Sequence, residues 1–324
     1  MENKDLMYKT ADEQYNTIIR NILDNGVMDN PENVRTVYED GEKAPTKAII
    51  NVQMKFDNSM GAVVLTTKRV PLKDPIKELF WIWQKMSNKV FDLQQMGCHV
   101  WDEWELKDGT IGKAYGWQLF NKRQRIIADR TFLEMARNGE LSTKLDEVTD
   151  EQFENTVAYC EEYIEYIDLN QVDYLLYMLK KNPHSRRIKT TLWCVEDLQD
   201  MALQPCVYET HWQLFDGKLA LTANIRSNDM ALGNPYNIYQ YSILHRMIAQ
   251  VTGHEVGELC FNIDNAHIYD RHLETIKKQI EGEVHELPTI WINPEVKSFY
   301  DFTLDDIKVV DYTHNGTFSY EIAI

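Results

Sequence analysis

Nowhere in the 324 residues is there a run of roughly 18 consecutive apolar side chains, the length a bilayer-spanning helix needs, so no transmembrane segment is expected. The opening "MENKDLMYKT" also lacks the apolar core of a signal peptide, and a cytoplasmic protein is predicted. Cysteine is scarce and unpatterned. Cys98, Cys160, Cys194, Cys206 and Cys260 are odd in number, widely scattered and without a C-x-x-C pair. That argues against a disulfide framework and against a zinc site, so no metal is expected and any reactive thiol must act alone. Positive charge is scarce as well. Thirty-four basic against 51 acidic residues give a formal net charge of −17, which argues against a general nucleic-acid surface. An anionic ligand would need a local cluster of arginines.

What is present, 44% hydrophobic and 26% charged residues, describes a soluble globular chain. The expected fold is α+β, one large domain over residues 1–324, with a mixed β-sheet flanked by helices. Thr10 and Glu13 have capping-box spacing ahead of a helix striped by Tyr15, Ile18, Ile19, Ile22 and Leu23 and ended by Gly26. In "IINVQMKF" the alternation of Ile50, Val52, Met54 and Phe56 predicts a strand with one wet face. Asp74 and Pro75 read as the cap and first-turn residue of a helix that is apolar nearly all round. Glu78 lies within it. A carboxylate there is either a structural hydrogen-bond acceptor or a proton-transfer group. Residues 121–168 look like a helical insertion; Thr149 and Gln152 could cap a helix carrying Phe153, Val157, Cys160, Ile164 and Ile167.

The most informative stretch is "CVYETHWQLF" and "KLALTANIRS" around Asp216-Gly217, a hairpin signal whose two-residue loop pairs positions summing to 433. That register sets Tyr208 against Ile225, Trp212 against Leu221 and Leu214 against Leu219 on one face, with Glu209 against Asn224 and His211 against Thr222 on the other. It also puts Cys206 opposite Ser227 and beside Arg226. A guanidinium near a sulfur favours the nucleophilic thiolate; the alternative is a small buried thiol.

"MALQPC", "RSNDMALGNPYNI", "NPHSRR", "HVWDEW", "LTTKR", "KELFWIWQ" and "NAHIYDRH" together resemble, in order, the motifs of the thymidylate synthase family, which methylates dUMP with folate. The resemblance implies a homodimer with a sheet forming much of the interface. It implies that Cys206 adds to carbon 6 of dUMP, and that the phosphate is held by Arg35, Arg226 and Ser227, with Arg186 and Arg187 donated by the second subunit. Asn237 would read the pyrimidine, its amide matching ring nitrogen 3 and the neighbouring carbonyl of uracil. Glu78 would order water and move protons, Tyr115 would orient the water that removes the carbon-5 proton, and His267 and Tyr269 would bond the ribose hydroxyl. For the cosubstrate 5,10-methylenetetrahydrofolate, it implies Asp229 at the pterin, Trp101 and Trp104 against the ring system, and Lys68 toward the glutamate tail. The carboxylate of Ile324 would help close the site.

Three positions depart from the family pattern. Val207 follows the nucleophile where many members have His, and Ile225 stands where many have Gln. Asp264 and Asn265 replace a Gly-Asp pair, which bears on local water and the ribose contacts. A deoxyuridylate hydroxymethylase, in which water completes the reaction, and a non-catalytic nucleotide- or folate-binding regulator are the rival readings.

Overall fold

The capping box at the start of the chain closes as expected. In the computed structural model, which describes residues 9–145 and 147–324, helix α1 (Ala11–Asn25) begins with the Thr10 hydroxyl and Glu13 carboxylate each accepting from the other's backbone amide. A short β1 (Val27–Met28) leads to β2 (Thr46–Asp57). There the expected alternation holds only in part: Met54 and Phe56 are buried, but Ile50 is 69% exposed. Asn51 adopts φ +58, a left-handed kink that asparagine tolerates. The kink turns the strand over, so Ile49 rather than Ile50 packs on the core.

Helix α2 (Lys73–Leu79) starts earlier than expected, with Leu72 at its cap and no side-chain cap bond. Asp74 is therefore not the cap; it lies in the first turn and pairs with Lys77 at 3.2 Å. The helix runs on as a π turn, Phe80–Gln84, that buries Phe80, Trp81, Ile82 and Trp83. After α3 (Val90–Gln94) and α4 (Gly116–Asn121) come the residues expected to form a helical insertion. They contain more than helices. β3 (Gln124–Ile127) and β4 (Tyr166–Leu169) pair as a two-stranded sheet around α5 (Arg130–Arg137) and α6 (Asp150–Glu162). The Thr149 capping box is present and Phe153 and Val157 are buried, but the backbone turns extended at Tyr163. Ile164 is consequently 65% exposed, and Ile167 pairs with Ile126 instead of extending the helix stripe.

Helix α7 (Gln171–Lys181) ties this segment to the body through buried Asp173, which accepts hydrogen bonds from Ser142, Thr143, Asn170 and Tyr300. Then follow β5 (Lys189–Thr191), β6 (Val207–Phe215), β7 (Lys218–Ile225), β8 (Asn228–Asp229), α8 (Gly233–Thr252) and β9 (Glu255–Tyr269). Helix α9 (Leu273–Ile280) and a hairpin of β10 (Thr289–Ile292) with β11 (Ile307–Val310) complete the elements.

The main sheet runs β1-β2-β9-β7-β6-β5, with β8 also on β9. It is mixed, as expected: β7 and β8 lie parallel to β9 and the other pairs are antiparallel. One face packs Trp212, Leu221, Ala223, Phe261 and Met54 against α8, buried on nearly every side. The other face carries a polar ladder in which Gln53, Asn262, Asn224, Glu209 and Lys189 are joined strand to strand by bonds of 2.8–2.9 Å. Among the described residues no helix is long and apolar enough to cross a membrane, and no group of three or more His, Cys, Asp or Glu could hold a metal ion.

Candidate active site

The hairpin register holds from Glu209↔Asn224 to Phe215↔Lys218, around a turn with Asp216 at φ +50 and Gly217 at φ +76. Positive φ at both loop positions is what a two-residue hairpin of matching twist requires. At the open end the register slips. A β-bulge at Tyr208 puts Val207, not Tyr208, opposite Ile225, and the Arg226 amide donates to the Cys206 carbonyl. Cys206 thus faces Arg226 rather than Ser227. β8 resumes the β7 register on β9 after skipping Arg226 and Ser227, which leaves the sheet's pairing at that point.

The Arg226 guanidinium donates to the carbonyls of Pro205 (3.1 Å) and Gln204 (2.8 Å), with Trp193 beneath it. With Arg35 and Gln199 it lines a cleft of about 250 Å³. The expected thiolate does not follow from this geometry alone. Burial pushes the Cys206 thiol up, Arg226 pulls it down, and Asp229 and Glu78 push it up again, with burial the largest influence. The resting group is the thiol.

Against Cys206 stands a buried aromatic wall. The Cys206 amide donates to the Tyr115 hydroxyl at 3.2 Å, and the Tyr115 ring meets Trp101 edge-on at 5.0 Å. Trp101 Nε1 donates to one oxygen of Glu78 at 2.5 Å, and Gln240 Nε2 donates to the other at 2.7 Å. These two donors favour the carboxylate, but burial outweighs them and raises its pKa. Trp104 packs edge-on against Trp101. Tyr115 takes φ +46, a strained conformation for a non-glycine residue. The next residue must be glycine, since a Cβ on Gly116 would stand 2.3 Å from the Ser87 carbonyl oxygen. Gln240 escaped sequence analysis, although it lies one helical turn after Asn237 on α8 and so shares its face.

On β9, His267 and Tyr269 do share a face, their rings 5.5 Å apart. His267 Nδ1 lies 2.8 Å from Asn265 Oδ1. The residue that looked like a departure orients the histidine, whose pKa burial lowers, keeping it neutral. Asn237 accepts from Asn228 at 3.0 Å. Asp229 Oδ1 accepts from the Ala231 and Leu232 amides, at 2.8 and 3.4 Å.

Lys68 is buried, its ammonium donating to the Ala231 carbonyl at 2.9 Å and lying 4.8 Å from the Tyr320 ring centre; burial lowers its pKa to about 8. It sits beneath the C-terminal segment, against Tyr320. Ile324 is already fastened, its backbone exchanging two hydrogen bonds with Val37 beside Arg35. Arg271 braces the same region by binding Glu321, Asp40 and Glu42. Arg186 and Arg187 are exposed near the turn end of β6, where the Trp212 amide donates to the Ile188 carbonyl. Cys206 is six strand residues away, roughly 20 Å at ~3.3 Å each. The chain's own Arg186 and Arg187 are too distant to serve its Cys206.

Known proteins share this arrangement. The sequence model of the family described as "Thymidylate synthase" matches residues 13–324. The thymidylate synthase of Bacillus mojavensis is 49% identical over 314 residues, 97% of this chain and 99% of its own length, and that of Bacillus phage phi3T is 48% identical over the same span. The solved structure of thermostable thymidylate synthase A from Bacillus subtilis superimposes with a TM-score of 0.81 at 47% identity, covering 98% of this chain and all of that one. With sequence and fold matched over nearly its full length, the chain belongs to the thymidylate synthase family.

Proposed function

We propose that Cys206, Arg226, Glu78, Tyr115 and Asn237 carry out the family's reaction in this chain, the methylation of dUMP to dTMP, a one-carbon transfer with 5,10-methylenetetrahydrofolate as cosubstrate. The observation that carries the reading is that Cys206 is hydrogen-bonded through its backbone on one side to Arg226, which lines the polar cleft, and on the other to Tyr115 of the Glu78–Trp101–Tyr115 wall. The phosphate of dUMP meets the free edge of Arg226 together with Arg35 and Ser227, where forked guanidiniums suit its oxygens. The Cys206 thiol gives up its proton to water ordered by Glu78 and the sulfur adds to carbon 6, the ring electron pair moving through carbon 5 onto the carbonyl at carbon 4. Asn237 donates to that oxygen. His267 and Tyr269 hold the ribose hydroxyl.

The folate site is supported by the chemistry of its lining: Trp101 and Trp104 offer aromatic surface, and Asp229 keeps Oδ2 without a hydrogen-bond donor among the described residues. Methylenetetrahydrofolate supplies, when bound, the one-carbon unit and the hydride. Glu78 orders water beside the base, Tyr115 orients the water that takes the carbon-5 proton, and departure of Cys206 restores the ring. The Ile324 carboxylate belongs to the closure of the site, and Lys68, beneath Tyr320, to the attraction of the folate's glutamate tail.

A homodimer joined through the polar sheet face supplies what one chain lacks. Arg186 and Arg187 are remote from their own Cys206 and exposed, as donation to a second subunit requires.

The test incubates the chain with dUMP and methylenetetrahydrofolate, following dihydrofolate by absorbance and the nucleotide by mass. Product heavier by one methyl replacement, with matching dihydrofolate, is expected. A hydroxymethyl product without dihydrofolate would overturn the synthase reading in favour of water completing the reaction.

A further inference from the structure

Three asparagines stand in a row behind the base-reading position. Asn234 Nδ2 donates to Asn228 Oδ1 at 2.8 Å, and Asn228 Nδ2 donates to Asn237 Oδ1 at 3.0 Å. The first two are buried and Asn237 is half-buried, its Nδ2 without a partner among the described residues. A side-chain amide turned over about its last bond exchanges donor and acceptor with almost no change of shape. Uracil and cytosine differ in the same way: one offers N3–H and a carbonyl, the other a bare N3 and an amino group. The neighbour that decides which way Asn237 is turned therefore decides which base it can read.

Resting on the reading of Asn237 as the residue that recognises the base, we propose that Asn228 is a specificity-determining positioning residue, holding Asn237 Oδ1 as an acceptor and so selecting uracil over cytosine. Asn228 is itself held by the pairing of β8 with β9, opposite Ala266. The far end of the row is weakly anchored: Asn234 Nδ2 lies 3.5 Å from the Met54 sulfur, a poor acceptor, and Asn234 Oδ1 has no partner among the described residues. Control of polarity thus rests on the middle member, the only one bonded on both sides.

Asn228→Asp keeps the shape and offers acceptors alone. Asn234 keeps its bond, while Asn237 must turn its Nδ2 toward the new carboxylate and its Oδ1 toward the base, the polarity that suits cytosine. The measurement is kcat/KM with dUMP and with dCMP, alongside the melting midpoint. The dUMP-to-dCMP preference is expected to fall by about a hundredfold, through loss on dUMP and gain on dCMP. Asn228→Ala, which removes the donor without adding an acceptor, should lower the preference about tenfold and serves if the Asp variant does not fold. Asn237→Asp tests the reading beneath. If it shifts the preference while folded Asn228 variants stay within about twofold of the parent ratio, the asparagine row is overturned and the role of Asn237 stands. If Asn237→Asp leaves the ratio unchanged, that role fails and the proposal fails with it. Equal losses on both bases in the Asn228 variants would mark a structural role and also overturn it.

Discussion

The arginine cleft and the aromatic wall, one on either side of the Cys206 backbone, are built on opposite principles. On the arginine side, Arg35 is exposed and Arg226 is tied by only part of its fork, so cationic hydrogen-bonding capacity is left for a ligand. On the wall side, both oxygens of Glu78 are bonded, the Tyr115 hydroxyl is bonded and the aromatic rings are in contact. The difference suits the role proposed for each group. A charge that captures an anion from solvent can stay hydrated until the anion arrives. A carboxylate proposed to handle protons beside buried rings has to be satisfied beforehand, because a buried polar group without a partner costs about 1–3 kcal/mol.

The sharpest way to test this contrast is to remove the atom between the two sides. Cys206→Ala should abolish turnover, by on the order of 10⁴-fold or more, while calorimetric titration still detects dUMP held by the arginines. Normal turnover in that variant would end the nucleophile assignment. Next in size, Glu78→Gln should lower kcat by about 10²–10⁴-fold with dUMP affinity nearly retained. It also turns one amide hydrogen toward the Trp101 or Gln240 donor, so the melting midpoint should drop. A loss confined to dUMP affinity would instead place Glu78 on the binding side.

Arg35→Gln should act in the reverse sense, raising KM for dUMP by about 10–100-fold, the worth of a charge-assisted hydrogen bond, with kcat little changed. Added salt should weaken dUMP binding to the parent more than to the variant. The smallest effect expected is that of Gln240→Leu, which removes one of the two donors to Glu78. Losing a bond to the charged form raises the carboxyl pKa further, and the acid limb of the kcat profile should move to higher pH with a severalfold lower plateau. An unmoved limb would mean that Gln240 only fills space.

Much of the local fold was legible because its signals are local. The capping boxes at Thr10 and Thr149 and the Asp216-Gly217 turn depend on neighbours a few residues away, and all of them formed. Errors gathered where one residue outside the pattern resets a period. Asn51 inverted the face of Ile50, the bulge at Tyr208 moved Cys206 from Ser227 to Arg226, and Tyr163 ended α6 before Ile164. Glu78 illustrates the limit in another way. Helical periodicity left it between a structural acceptor and a proton-transfer group, and its two donors come from positions 23 and 162 residues away.

The sequence by itself determined the two capping boxes with the helices they start, the hairpin pairing from residue 209 to its turn, and the set of motifs that resembles the family. Those rest on spacing along the chain and on residue type. Only the tertiary structure decided that Cys206 rests as a thiol, that Lys68 lies under Tyr320, that Asn265 orients His267 and that three asparagines form a row. Each of these depends on burial and on partners brought together by the sheet and α8. The competition between losing water and gaining a hydrogen bond or a charge is settled by that packing and by no pattern in the chain.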